Sequence, residues 1–379
     1  MQPILYKSNT TKADFENGNG LGFFNHCTNC TVMEERNGLY ELSMTILQTD
    51  RLSKNVAVGM FIKVKSNPHD DPQIFEIYQL SVSDTDIEIK GQHVKYIANG
   101  NVTNEAFTAT GTPIEVWNDF ADLLVFNNLF DFSSDITNSL TVTAGKDRSV
   151  RLGELLAGID GSFLDTYGGE YHYDNFNIKL MKSRGEETGI CLRYGSNIST
   201  YKQDSDINTV YTHFLPYAYL SVEDTNGNSK DYQMAVTLDL IDLENDSLTY
   251  QRALAYDFSD EFSEDKIITP STGGAPLNWT ELTAKLQQKA DSYINANYTA
   301  LTQISTNIAV DVDDTLQKLS ACHLCDTVQV YYEPLNVTAR AKIVKTVYDS
   351  LNEKYTKIEL GNVKKTIADL FNVKNIGGA

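Results

Sequence analysis

Apolar and polar positions alternate with a period of two through most of the first hundred residues, a pattern that predicts strands. The Asn37-Gly38 pair is a two-residue hairpin signal. After it, Tyr40, Leu42, Met44 and Ile46 share one face of a strand starting at Leu39. Met60–Lys65, Gln73–Leu80 and Asp86–His93 repeat the pattern at a spacing that suits a small antiparallel barrel or sandwich. Pro68 and Pro72 bracket a polar connection containing His69, Asp70 and Asp71.

The period changes at Thr112. Thr112-Pro113-Ile114-Glu115 combines an N-cap, a proline at N1 and a capping-box glutamate, and predicts a helix with Ile114, Trp117, Phe120 and Leu124 on its apolar face. A shorter helix is expected from Ser149 to Ala157, stopped by Gly158. A hairpin follows, Glu170–Tyr173 against Phe176–Met181 around Asp174-Asn175. Strand patterning returns at Ile207–Leu215, and Tyr217–Val222 pairs with Tyr232–Leu238 around Asn226-Gly227. The longest helical pattern runs from Trp279 to Asn297, capped by Asn278, with Trp279, Leu282, Leu286, Ala290 and Tyr293 as its stripe. The segment Ser259–Pro276 before it reads as a loop. Strands are expected at Asp326–Tyr332, Thr338–Tyr348 and Lys354–Leu360, then a short helix near Lys365–Phe371 and a loose tail. The order is β, α+β, β, helix, β.

At 379 residues the chain exceeds one ordinary core, which stops growing near ~250–300 residues, so two to four domains are expected. Hydrophobic residues at 41% and charged ones at 22% describe a folded protein. Tyrosine, 21 against 2 tryptophans, suits half-buried sheet faces and contact surfaces. The formal charge of −20 repels phosphate and anionic lipid, and no basic run offsets it. Met1–Tyr6 turns polar at Lys7, and no apolar stretch approaches ~18 residues, so no membrane helix is expected and the product is expected in the cytosol.

Five cysteines in a chain without a signal segment argue against a disulfide framework. Four of them form Cys27-Thr28-Asn29-Cys30 and Cys322-His323-Leu324-Cys325. Each pair is half of a tetrahedral zinc site, because the short turn can set two thiolates on one ion. Zinc ribbons space their halves by ~15–20 residues, whereas these stand at opposite ends of the chain. The expectation is therefore reduced structural thiols, with a zinc site of Cys27, Cys30, Cys322 and Cys325 as the weaker alternative and a redox pair below it.

No G-x-S-x-G elbow and no H-E-x-x-H spacing occurs. His26, His69, His93, His172, His213 and His323 are scattered, and His93, His172 and His213 fall in predicted strands as structural histidines. Asp311-Val312-Asp313-Asp314 and the acids from Asp257 to Asp265 lack the spacing of a calcium loop. Gly18-Asn19-Gly20-Leu21-Gly22 does not join a strand to a helix, so it is not a dinucleotide fingerprint. Catalytic residues, cofactors and metals are accordingly expected to be absent.

At Leu192-Arg193-Tyr194-Gly195-Ser196-Asn197-Ile198, followed by Asp206-Ile207-Asn208-Thr209-Val210-Tyr211-Thr212-His213-Phe214-Leu215-Pro216, the chain resembles the tail-associated (Tal) proteins of long-tailed phages, the prophage tail endopeptidase family. Further pieces recur in order: Cys30 to Leu42, Gln73-Ile74-Phe75-Glu76-Ile77, His93-Val94-Lys95-Tyr96, Gly168-Gly169-Glu170-Tyr171, Asp326-Thr327-Val328, Ala341 to Asp349 and Lys357 to Gly361. The family commonly has glycine where Cys325 stands.

The resemblance implies a multidomain α+β chain of the phage baseplate-hub fold. Two antiparallel β-barrel-like ring domains are implied, residues 1–98 with 205–240 and residues 241–258 with 305–379. An α+β domain is inserted at 99–204 and a helical insertion at 259–304. It implies a homotrimeric structural hub in the virion tail tip that gates the tube. Its partners would be the distal tail protein ring, the tape-measure protein and receptor-binding proteins, and DNA would pass through without specific binding. The lytic domain behind the endopeptidase name follows the hub in long homologues, so a structural, non-enzymatic role is expected. A cell-wall hydrolase is the alternative.

Overall fold

The computed structural model describes residues 2–365 apart from 19, 209, 246–247, 303–304, 313–317 and 336. They divide into two compact units, Met1–Gln203 with Asn307–Ala379, and Asp204–Thr306. No helix among the described residues is long and apolar enough to cross a membrane.

In the first unit, strands from both chain ends share one sheet, with thirteen strands among the described residues. Its path runs Ile198–Asp206, Ser305–Val312, Lys354–Lys365, Val337–Asp349, Cys27–Glu35, Tyr40–Leu47, Asp86–His93, Gln73–Val82, Phe61–Val64, Ile4–Tyr6 and Gly22–Phe23. Thr327–Tyr332 pairs with Val337–Asp349 and carries Glu187–Arg193 parallel on its far side. The seam between the chain ends is antiparallel, with Lys345 opposite Glu35 and Asp349 opposite Thr31.

Period-two patterning explains the burial. Tyr40, Leu42, Met44 and Ile46 are all buried, while Glu41, Ser43 and Thr45 are half-buried on the other face. The path ends in Ile198–Asp206 on one side and the two-residue strand Gly22–Phe23 on the other, so no closed barrel occurs among the described residues. A two-residue ladder offers too few hydrogen bonds to close a sheet on itself.

The middle of the chain is α+β, as its patterning predicts. Phe107–Gly111 pairs with Leu140–Gly145, and Asp131–Ser134 lies parallel to Asn177–Met181, which forms a hairpin with Glu170–Asp174. The capping box at Thr112 and Glu115 opens the helix Pro113–Ala121. Its buried stripe is Pro113, Val116, Trp117 and Phe120. Ile114 is exposed and Leu124 lies beyond the helix end, because the helix stops one turn earlier than the pattern suggested. The second helix is shorter than expected, Leu152–Leu156, and a further one at Phe163–Tyr167 carries no sequence signal beyond Ser162 as its cap.

Apolar side chains of this block and of the first hundred residues form one core. Phe15 stands 5.4 Å from Phe61 and 6.2 Å from Phe176, ring to ring. Of the span 99–204 expected as an insertion, Glu187–Arg193 and Ile198–Asp206 are strands of the large sheet instead. Tyr194–Asn197 is the tight turn between them. Gly195 is at φ +76, and the Asn197 side chain accepts from Arg193 N (2.6 Å) and donates to Cys191 O (3.1 Å).

The second unit is a five-stranded sheet under one helix. His213–Asp224 is central, antiparallel to Ser229–Thr237 and Ile241–Asp242, and parallel to Ala253–Asp257 and Lys266–Thr269. Within the span 205–240, His213–Asp224 and Ser229–Thr237 therefore pair inside the second unit rather than with residues 1–98. The strand at Lys266–Thr269 lies where a loop was read, and it buries Ile267. The helix Trp279–Thr302 lays Leu282, Leu286 and Ala290 against Phe214, Ala218, Leu220 and Val222. The Asn278 amide is spent on the strand beside it, donating to Lys266 O (2.7 Å) and accepting from Ile268 N (3.0 Å). The helix expected at Lys365–Phe371 lies, past Lys365, outside the described residues, as do Asp313, Asp314 and the tail.

Cys325 sits at φ +77, in the left-handed region that glycine enters without cost and other residues enter at about 1 kcal/mol or more. Its carbonyl is fixed there by the close passage of Gly185, where a Cβ would lie 2.0 Å from Cys325 O. Cys325→Gly should melt above Cys325→Ala by about 1 kcal/mol, the reverse of the usual order within ordered backbone, as read by denaturant titration.

Candidate functional site

The loop between the two prolines is held by one side chain. Asn67 accepts from His69 N (2.9 Å) and Asp70 N (2.8 Å), an Asx-type turn, while its amide donates to Asp70 Oδ2 (2.9 Å). This presents His69 and Asp70 to a cleft of about 160 Å³. The middle hairpin contributes His172 and Lys179, which face each other across its two strands. The turn before Thr327–Tyr332 contributes His323 and Leu324. Three of the six scattered histidines thus converge.

The bonds fix their roles. His69 Nε2 lies 3.1 Å from Cys322 O, and a carbonyl only accepts, so Nε2 carries the proton. Burial first, and the neighbouring His323 ring second, hold His69 below the usual imidazole range. The His69 and His323 rings stack at 3.6 Å and 23°. His172 Nε2 donates to Asp70 Oδ2 at 3.1 Å. Burial opposes ionisation of Asp70, yet the hydrogen bond and charge of His172 and the bond from Asn67 prevail and hold it at about 2.

Beneath the cleft, Arg184 Nη1 meets Glu34 Oε1 at 2.6 Å with both side chains nearly shielded from water. Arg184 also donates its backbone N–H to Glu170 Oε2 (2.8 Å), and Lys342 reaches Glu170 Oε1 (2.6 Å). Buried Asp326 accepts from Glu186 N (3.0 Å) and His323 N (2.8 Å). Each cleft imidazole is bonded to a carbonyl, a carboxylate or another ring. The arrangement orients imidazoles and balances charge.

The remaining histidines are placed elsewhere. His93 is fully buried, donates from Nε2 to Gln73 Oε1 (3.0 Å) and accepts at Nδ1 from Lys95 N, and burial holds it neutral. His26 meets Thr49, and His213 meets Thr212 in the second unit. Among the described residues the five cysteines form no disulfide. Cys27 lies in contact with Cys30, and Cys30, Cys322 and Cys325 are buried. Burial, aided by the charge of Glu170, pushes the Cys325 thiol up to about 12. Among the described residues no group of three or more His, Cys, Asp and Glu side chains is placed to hold a metal ion, so Cys27, Cys30, Cys322 and Cys325 do not form one cluster. Asp257 caps Ser259, and Asp265 and Glu261 pair with Lys285 and Lys289 of the long helix. Glu34 and Arg184, the centre of this arrangement, were not singled out from sequence. Glu34 falls inside the Cys30–Leu42 piece without being singled out there, Arg184 falls in none, and 150 positions separate them.

Two outcomes follow. Because the folded Asp70 lies below its ordinary 3.8, it stabilises the fold above about pH 4, and that contribution of about 2 kcal/mol is lost as the pH falls through about 2. Asp70→Asn should flatten this acid limb in urea titrations from pH 5 to 2. Arg184→Met strands the Glu34 carboxylate and should cost about 3–5 kcal/mol, and adding Glu34→Gln should recover part of it in a double-mutant cycle.

Comparison with known proteins places this geometry. Residues 186–371 match the family model described as prophage endopeptidase tail. No curated protein sequence matches the chain. Among solved structures, the fold is similar to the prophage tail protein gp18 of Listeria monocytogenes EGD-e, with TM-score 0.56 and 17% identity over 100% of both chains. It is similar to the 43 kDa tail protein of prophage MuSo2 from Shewanella oneidensis, with TM-score 0.54 and 10% identity over 96% of this chain and 98% of that one. It also resembles a tail protein of Neisseria meningitidis MC58, with TM-score 0.52 and 9% identity over 95% and 96%. Residues 186–371 thus match the prophage endopeptidase tail family, and the fold is similar to that of prophage tail proteins.

Proposed function

We propose that the chain is a structural hub of a long-tailed phage's tail tip, assembling as a homotrimeric ring that gates the tube and joins the distal tail ring to the host-recognition apparatus. The observation that carries this reading is the likeness to gp18 over the full length of both chains, joined to the family match over residues 186–371. The open sheet supports it. Among the described residues its path does not close, and neighbouring copies that extend it would complete barrel-like ring domains. The charge of −20 supports a DNA conduit, since an acidic lining repels the phosphate backbone and lets it slide. The chain acts without catalysis in this reading, and the distal tail ring, the tape-measure protein and receptor-binding proteins are its neighbours.

The alternative is a tail-borne cell-wall endopeptidase. The family's name favours it, and so does the His172–Asp70 pair in an open cleft. One purified sample separates the two. Mass photometry at micromolar concentration should give a trimer, and negative-stain microscopy a ring. A stable monomer with no ring in virions would defeat the hub. Clearing of a peptidoglycan zymogram, abolished by His323→Ala or Cys322→Ala, would establish the endopeptidase instead.

A further inference from the structure

The connection after the helix Pro113–Ala121 carries three apolar side chains into solvent: Val125 at 52%, Phe126 at 64% and Leu129 at 47% exposure. Single exposed apolar residues are ordinary, but three on one short turn are not. This turn is also built to stay where it is. Asn101, 9% exposed, accepts from Phe126 N (3.1 Å) and donates to Phe126 O (2.9 Å), so one buried amide grips both backbone groups of the exposed phenylalanine. Asn128 does the same for Phe130, whose ring is buried. Val125 N bonds Val102 O (2.9 Å) and Asn104 N bonds Leu123 O (3.0 Å), tying the turn to the neighbouring segment. Behind it lies a hollow of about 230 Å³ whose lining includes Ile97, Ala98, Leu152 and Phe130.

A phenylalanine fixed in this way loses little freedom on binding, which is the property of an interface anchor. The hollow exceeds the ~150 Å³ that accommodates a benzene ring, so it can receive a large apolar side chain in return. Charge selects the occupant. Between Lys95 and Lys146 there is no basic residue and there are six acidic ones. Glu105 and Asp122 are exposed on the two segments that hold the turn, and Asp119 is exposed on the last turn of the helix. A second copy of this chain would bring like charges together around the contact.

We propose that the Val125–Leu129 turn and the hollow behind it are the docking surface for a different protein of the tail, one that offers an apolar side chain ringed by lysine or arginine. The inference rests on the chain being a tail component and not on the ring.

The test replaces Phe126 with p-benzoylphenylalanine in assembled tails and identifies photo-cross-linked segments by mass spectrometry. The expected product is a cross-link to another chain within a net-basic segment, its yield falling severalfold at about 0.5 M salt, where exposed charges are screened. Phe126→Asp should reduce retention of that partner roughly tenfold while Phe126→Leu retains it, both variants melting as the parent does. A cross-link to a second copy or to an acidic segment overturns the proposal. So does the absence of any cross-link in tails that contain the chain, which leaves the tail assignment standing. Tails from which the chain is absent would overturn both.

Discussion

Glu34 and Arg184 meet at 2.6 Å where water scarcely reaches, and a charge in such a place is tolerated only when paired and hydrogen-bonded. Around this pair three distant parts of the chain become one unit. Glu34 belongs to the strand at the seam of the large sheet, Arg184 to the exit of the middle hairpin, and Lys342, through Glu170, to the last block of strands. Arg36 approaches the same Glu170 carboxylate at 3.6 Å. Alternating carboxylates and cations fix how the three parts register, which apolar packing alone does less sharply. The cleft histidines sit at the rim of this arrangement.

A second set of ties uses hairpin turns twice. Asn37 and Asn175 both adopt positive φ, as their tight turns require, and their side chains then reach across to other elements. Asn37 donates to Gly169 O (3.0 Å) and accepts from Tyr171 N (2.8 Å), and Asn175 accepts from Ile74 N (2.9 Å). Lys95 donates to Gly38 O (2.6 Å) with its ammonium over the Tyr173 and Tyr96 rings, and burial pushes it down to about 8. Each turn thus closes its own hairpin and locks the first block to the middle one.

What was legible in the sequence was local. The strand Asp86–His93, the Asn37-Gly38 turn, the Thr112 capping box and the stripe of Leu282, Leu286 and Ala290 are written in adjacent residues, and the structure has them where the pattern placed them. The pairing of Lys345–Asp349 with Thr31–Glu35 was not legible, because β-register across three hundred residues leaves no periodic trace in either strand. Lys266–Thr269 was missed because four residues after an acidic run carry too little alternation to register. The cleft was invisible for the same reason as the seam: His69, His172 and His323 are single letters in three segments until the sheet brings them together.

The charge of the chain takes on a different meaning once its pairing is known. Residues 204–306 carry sixteen acidic and five basic residues. Lys266, Lys285 and Lys289 pair with Glu223, Asp265 and Glu261, Lys230 lies 3.7 Å from Asp224, and Arg252 donates to the Ile207 and Asn208 carbonyls. Each of these cations is thus engaged within its own unit while staying partly exposed, and most of the acid has no cation to match it. In the first unit the shielded Arg184 is paired with Glu34. A chain with a net charge of −20 repels its own kind unless apolar contact is strong enough to prevail, and it attracts basic partners over a Debye length of about 8 Å. For such a chain, association with a like-charged partner must be led by backbone and apolar contacts, whereas association with a basic partner gains speed and selectivity from charge.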